Sequence, residues 1–299
     1  MRFARPSCLT RFVLLCFFAA LGLASPVALA QAVSARDDRG YVIALPAPAS
    51  RIVSLAPHVT ELLFEAGAGG KLIGVSRFSD HPEAAQGIAS VGDAAAADLE
   101  RIVALRPNLV VAWKSGNHLG DIAKLERLGY PVFVTEPSQL SDIPRLLRAL
   151  GTLAGTSAEQ PASAFESELE DLAARYQGRP KVSVFYEIWN EPLMTVNRGH
   201  MIDHVLRLCG GVNIFAGART LVPVVSVESV LANNPDVIID GYSWDATETA
   251  LAAWQRFPGL NAVRNRQLYR VPPELLHRQA PRILRGAGLI CEYLEKARK

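Results

Sequence analysis

Apolar residues along the chain fall into two recurring patterns, short β-branched runs and longer stretches with helical spacing. In the first half, "RIVSLAP" from Arg51, "KLIGVS" from Lys71, "NLVVAW" from Asn108 and "PVFVTE" from Pro131 predict strands. In the second half, "KVSVFYEIW" from Lys181, "MTVN" from Met194, "DVIIDGY" from Asp236 and "QLYRVP" from Gln267 predict four more. Helical stretches lie between them. The expected fold class is therefore α/β, with parallel sheets covered on both faces by helices.

Parts of the pattern are written twice. "LERIVALRPNLVVAW" from Leu99 and "VESVLANNPDVIIDG" from Val227 each give an acidic residue, a short amphipathic helix, a turn at Pro107 or Pro235, and a buried strand. Glu100 and Glu228 hold the same place in the two copies. Upstream, "TELLFEAGAGGKLIGV" from Thr60 and "DHVLRLCGGVNIFAGA" from Asp203 match as helices closed by glycine and followed by a strand or loop. A repeat of about 130 residues is far longer than that of a solenoid and marks two similar lobes.

Between the lobes, residues 141–180 read as a short helix, a polar break at Gly155 to Gln160, and a second helix from about Pro161 to Tyr176. The expected organisation is an N-terminal lobe at 31–136, a helical linker at 137–180 and a C-terminal lobe at 181–299. A helical connector is stiff, so modest adjustment around a preformed cleft is expected rather than wide hinge closure.

Residues 1–30 have a different character. Arg2, Arg5 and Arg11 precede an apolar run from Phe12 to Leu23, and Ala28 and Ala30 form a small-x-small ending. This predicts a secretory signal peptide cut after Ala30 and a soluble, exported mature chain of about 269 residues. A lipoprotein reading through Cys16 is the poorer alternative, because "VLLC" lacks small residues before the cysteine. The net charge is only +2, which gives no support to nucleic-acid binding. Loss of the leader removes Cys8 and Cys16, which leaves Cys209 and Cys291 either as one disulfide in an oxidising compartment or as two buried thiols.

The ordered motifs "RIVSLAPHVTELLFEAG", "LIGVSRFSDHP", "LERIVALRPNLVVAW", "LCGGVNIF", "VSVESVLANNPDVII" and "APRIL" resemble the vitamin B12-binding proteins of ABC importers, within the wider class of helix-bridged (class III) substrate-binding proteins. The resemblance runs from about Arg51 to Leu289. It implies two Rossmann-like lobes joined by a long helix, a ligand between them, a periplasmic location and a monomer that delivers cobalamin to permease subunits without chemistry or cofactor of its own. It also implies that Glu100 and Glu228 dock onto permease arginines, a role suited to carboxylates near helix starts.

Loops after parallel strands are the usual ligand sites of open α/β sheets. The residues expected there are Pro57, Phe78, Trp113, Trp189, Trp244, Glu274 and Arg278, whose aromatic members suit a flat macrocycle. Phe78, Trp113 and Arg278 fall where the resemblance places ligand contacts. Ala94 and Val222 stand where the relatives carry aromatics, so the pocket wall is expected to differ. A haem or ferric-siderophore ligand is the alternative, with His58 or His277 as an axial donor. The His200/His204 pair has helical spacing but lacks the glutamate of a zinc-protease motif, and Trp254 reads as core.

One stretch suggests another class altogether. "WNEP" at Trp189 to Pro192 looks like the acid/base element of a retaining glycosidase, with Glu191 and Glu274 as the two carboxylates. Such enzymes are built on an eightfold barrel whose units recur through the chain. This chain repeats once, so a binding protein is expected, with Trp189 as a cleft wall and Glu191 as a rim residue.

Overall fold

The computed structural model describes Met1 and residues 31–242 and 249–299. The predicted leader's two cysteines, Cys8 and Cys16, and Trp244 lie outside them.

A hairpin that hydropathy did not suggest comes first, β1 (Val33–Arg36) against β2 (Val42–Leu45). Its turn is closed by Asp37, which accepts from Arg39 and from the Tyr41 amide. The Asp38 amide donates to the Val134 carbonyl at 2.9 Å, so the turn lies against the last strand of the first sheet and shields that open edge.

The first lobe continues with β3 (Ile52–Ser54), α1 (Pro57–Glu65), β4 (Leu72–Val75), α2 (Leu99–Leu105), β5 (Leu109–Trp113), α3 (Leu119–Arg127) and β6 (Val132–Thr135). The strands are parallel, in the order β4-β3-β5-β6. Leu109 to Ala112 are fully buried, as a strand with both faces covered requires.

Two helices follow, α4 (Asp142–Ala154) and α5 (Glu159–Tyr176). Gly155, at φ +66°, ends α4 in a left-handed turn, where a β-carbon would stand 2.6 Å from Pro48. The second helix begins two residues before the expected start. Pro161 is tolerated there because the first turn has no intrahelical acceptor for its missing N–H. Helix α4 packs on α1 and β1, while α5 packs on α4 and also on two helices of the second lobe. At 1.5 Å per residue α5 rises about 27 Å.

The second lobe runs β7 (Val182–Glu187), β8 (Trp189–Asn190), β9 (Leu193–Met194), α6 (Met201–Leu208), β10 (Gly211–Asn213), α7 (Val227–Asn233), β11 (Val237–Asp240), α8 (Thr249–Gln255), α9 (Asn261–Arg264), β12 (Leu268–Arg270), α10 (Pro273–Leu276) and α11 (Ile283–Ala297). Its parallel order β10-β7-β11-β12 repeats that of the first sheet.

One expected strand is corrected. "MTVN" does not join this sheet; Met194 closes the β8–β9 hairpin and the Thr195 amide donates to the Pro223 carbonyl. The sheet position belongs to Gly211–Asn213, whose opening glycine, preceded by Gly210, and short length hide it from a hydropathy reading. A single apolar cluster extends from Ile52 and Phe133 through Leu147, Phe165 and Leu172 to Val184 and Ile290. The lobes therefore share a core across the helical bridge.

Candidate functional site: a cleft between the lobes

A cavity of about 640 Å³ opens at the carboxyl ends of the strands. The first lobe lines it with the loops after β3 (Pro57, His58), β4 (Phe78, Asp80) and β5 (Trp113). Among the described residues the second lobe adds the segment after β12, with Pro273, Glu274, His277 and Arg278. Strand β3 lies between β4 and β5, so the crevice sits where the connections from β3 change direction along the sheet.

Local chemistry sets each wall. Pro57 is the first residue of α1, where its fixed φ suits the helix and its missing N–H is no loss. Trp113 ends β5, and its amide donates to the Asn117 side chain at 2.7 Å. Its ring lies against Gly116, where an added β-carbon would come within 1.8 Å of it. The Asn117 amide group also donates to the carbonyls of Leu55 and Ala94, which ties three cleft loops together. Nothing in the sequence singled out Asn117, because its role depends on carbonyls distant along the chain.

Helix α1 is buried nearly all round, so its polar side chains need internal partners. The Thr60 hydroxyl bonds Ser54 and Ser79. Glu61, 2 % exposed, accepts from Arg278 at 3.0 Å and from Arg282 at 2.7 and 2.9 Å. Arg278 also donates to Asp80 at 2.5 Å and to the Phe78 carbonyl at 3.1 Å. The bond from Arg278 holds the Asp80 carboxyl below the usual range. Burial opposes the charge on Arg278, yet its bonds to Asp80 and Glu61 raise its pKa above the ordinary value.

The cavity histidines are neutral. Burial, assisted by the Arg278 charge, lowers His58 to about 3; its Nε2 has no partner and its ring meets Trp113 edge-on at 5.0 Å. Burial, then the neighbouring His200, lowers His277 to about 4, and its Nε2 lies 3.1 Å from the Tyr186 hydroxyl. His200 caps α6 and His204 accepts from the Leu140 amide, so that pair is occupied structurally. No cluster of potential metal ligands occurs among the described residues.

Of the residues expected in the cleft, Pro57, Phe78, Trp113, Glu274 and Arg278 line the cavity together. Trp189 does not. It lies on the β8–β9 hairpin, 49 % exposed, with its indole donating to the Glu191 carbonyl and tilted against Tyr242 at 5.8 Å. Trp244 falls outside the described residues. Ala94 and Val222 are half-buried, and Trp254 is core, donating to the Glu187 carboxyl at 2.7 Å. Glu191 stands exposed at the hairpin turn while Glu274 lines the cavity, and two open sheets replace a closed barrel.

Glu100 and Glu228 are exposed and each is the second residue of a seven-residue helix. Asp98 caps α2 by accepting from the Arg101 amide, and Ser226 caps α7 by accepting from the Ser229 amide. Both helices end in left-handed residues, Arg106 and Asn234. On the opposite side of the second lobe, Cys209 and Cys291 form a disulfide that joins α6 to α11.

Residues 52–275 match the profile of the periplasmic binding protein family. The chain belongs to that family. This periplasmic binding protein is 36 % identical over 260 residues to the vitamin B12-binding protein of Vibrio cholerae, a match covering 86 % of this chain and 94 % of that one. The vitamin B12-binding protein of Yersinia pestis is 33 % identical, with 85 % and 89 % covered. The crystal structure of the periplasmic vitamin B12-binding protein BtuF of Vibrio cholerae superposes with a TM-score of 0.79 at 37 % identity, covering 84 % of this chain and 99 % of that one. The apo haem-binding protein RhuT of Roseiflexus, at 24 % identity and a TM-score of 0.70 over 84 % of this chain and 99 % of that one, shares the fold.

Proposed function

We propose that this periplasmic binding protein captures a corrinoid, cobalamin, in the cleft between its lobes and delivers it to an inner-membrane ABC importer. The lobes are residues 31–136 and 181–299, joined by the helical segment 137–180, and the protein acts as a monomer after export and removal of its leader. The observation that carries the reading is the cleft itself: Phe78 and Trp113 present aromatic surface at the carboxyl ends of the strands, in a chain 36 % identical to the vitamin B12-binding protein of Vibrio cholerae. Aromatic faces suit a planar macrocycle, and no group in the cavity needs to do chemistry.

Docking belongs to the outer surface. Glu100 and Glu228, exposed on matching helices, are the charges that arginines of a permease would read, setting register and encounter rate. A Glu100→Ala, Glu228→Ala protein is expected to bind cyanocobalamin like the parent yet fail to support its uptake; undiminished uptake removes the docking assignment.

The test of the ligand is isothermal titration of the mature protein with cyanocobalamin and, in parallel, haemin. One-to-one binding of cyanocobalamin alone is expected. The second reading, a haem carrier, is favoured only by His58, whose neutral Nε2 is unpartnered beside the cavity. It predicts haemin binding with a visible spectrum that changes in His58→Ala or His277→Ala.

A further inference from the structure

Phe78 is held in a backbone conformation that a bulky residue does not choose for itself. Its φ is +66°, in the left-handed region where a β-carbon crowds the neighbouring carbonyl. Such a residue persists only where its surroundings over-determine it, and it occurs preferentially at ligand clamps. Its ring gains nothing from burial to offset the strain, because Phe78 is 69 % exposed in a wall of the cavity.

Two sets of bonds fix the peptide. From within the first lobe, a chain of buried hydroxyls runs from Ser54 to Thr60 (2.9 Å), to Ser79 (3.0 Å) and to Ser76 (3.3 Å), anchoring both sides of the turn. From the second lobe, Arg278 Nη2 donates to the Phe78 carbonyl at 3.1 Å. The guanidinium is itself oriented: Nη1 donates to Glu61 and to Asp80, and Glu61 is also gripped by Arg282. Three of the arginine's five N–H donors are thus committed to protein acceptors.

We propose that Arg278 is a positioning residue that acts on the ligand through Phe78, setting the aromatic wall of one lobe from the other, with Glu61, Asp80 and Arg282 fixing its fork. This deepens the corrinoid reading and rests on it for the affinity measurement. The consequence is a coupling between enclosure and contact. Any separation of the lobes that breaks the bond from Arg278 also frees the strained peptide to relax, so the stacking surface is lost together with the cleft. Capture and release then use the same bond.

The experiment is a double-mutant cycle read by cyanocobalamin affinity, together with hydrogen exchange on the ligand-free protein. Lysine keeps the charge of Arg278 but cannot reproduce its fork. Arg278→Lys is expected to weaken binding by about tenfold or more in the parent, as for a lost hydrogen bond to a charged group, and by less than about threefold in a Phe78→Ala background. Equal losses in both backgrounds overturn the proposal, because Arg278 then acts on the ligand itself. In the absence of ligand, the Ser79 amide, which donates to Ser76, is expected to exchange faster in Arg278→Lys while the amides of α11 do not change. Unchanged Ser79 exchange also overturns it. If Arg278→Lys does not fold, Asp80→Asn carries the same cycle, since the Asp80 side chain is 54 % exposed and its removal leaves the core intact. A parent protein that binds no cyanocobalamin defeats the corrinoid reading alone, and the exchange measurement still decides the role of Arg278.

Discussion

The two lobes have the same sheet order and carry the same outer helix, yet their described residues contribute unequally to the cleft between them. Helices α2 and α7 agree in length, side-chain cap, second-position glutamate and left-handed end. On the inner side, among the described residues, the first lobe brings three loops to the cavity and the second brings the segment after β12. The lobes also differ in what secures them: a hairpin turn lies along the edge of the first sheet, and a disulfide joins two helices of the second. The repeat survives where an element is specified by its own cap and turn. Among the described residues it departs where a segment, such as the one carrying Arg278, takes its partners from across the cleft.

The difference in reinforcement gives the largest expected effect. Replacing Cys209 and Cys291 together by alanine frees a loop of 82 residues in the unfolded chain and is expected to cost about 4 kcal/mol on the loop-entropy account. Denaturant unfolding followed by hydrogen exchange should show the loss first in α6 and α11; a variant as stable as the parent would show that packing alone secures the second lobe.

Buried ionisable groups respond to pH in opposite senses. Burial, only partly offset by the bond from Trp254, pushes Glu187 at the end of β7 up to about 7, with Asp240 on the adjacent strand adding to the rise. The folded protein then holds that proton more tightly than the unfolded chain, and this group's contribution falls as pH rises from about 4.5 to 7. Glu187→Gln retains an acceptor for Trp254 and is expected to stabilise the protein at pH 8 by up to about 3 kcal/mol, with no gain at pH 4.5. His58 and His277 work in the opposite sense. Unfolding lets them take up protons near pH 6.5, so their contribution is complete above that pH and is lost as pH falls toward 4 and 3. Thermal unfolding of the parent should therefore show stability rising from pH 4 to 6.5, and His277→Gln should flatten that rise.

The repeated helices offer a smaller test. Asp98→Ala and Ser226→Ala each remove a cap from a matching helix and should cost about 1 kcal/mol apiece, in equal measure if the two copies are energetically alike. Smallest is Phe78→Gly, which relieves the left-handed strain and is expected to raise stability by up to about 1 kcal/mol while weakening ligand binding. A stability gain without loss of affinity would separate the strain from the wall.

Much of this architecture is legible in the amino-acid sequence. Buried parallel strands appear as β-branched runs because both faces exclude water, the helix ends appear as caps and glycines, and the duplicated motif gives the two lobes and the paired glutamates. Local periodicity could not resolve β10, which is three residues long and begins with glycine, nor the hairpin that holds Trp189. The sequence left Cys209 and Cys291 open between a disulfide and two thiols, and only the meeting of α6 with α11 decided it. The partners of Glu61, which reach it from the far end of the chain, were equally hidden. Secondary structure and repeats depend on neighbours in sequence and are written there; the cleft, the grip of Arg278 on the Phe78 peptide and the perturbed acids and histidines depend on neighbours in space, which only the packed tertiary structure supplies.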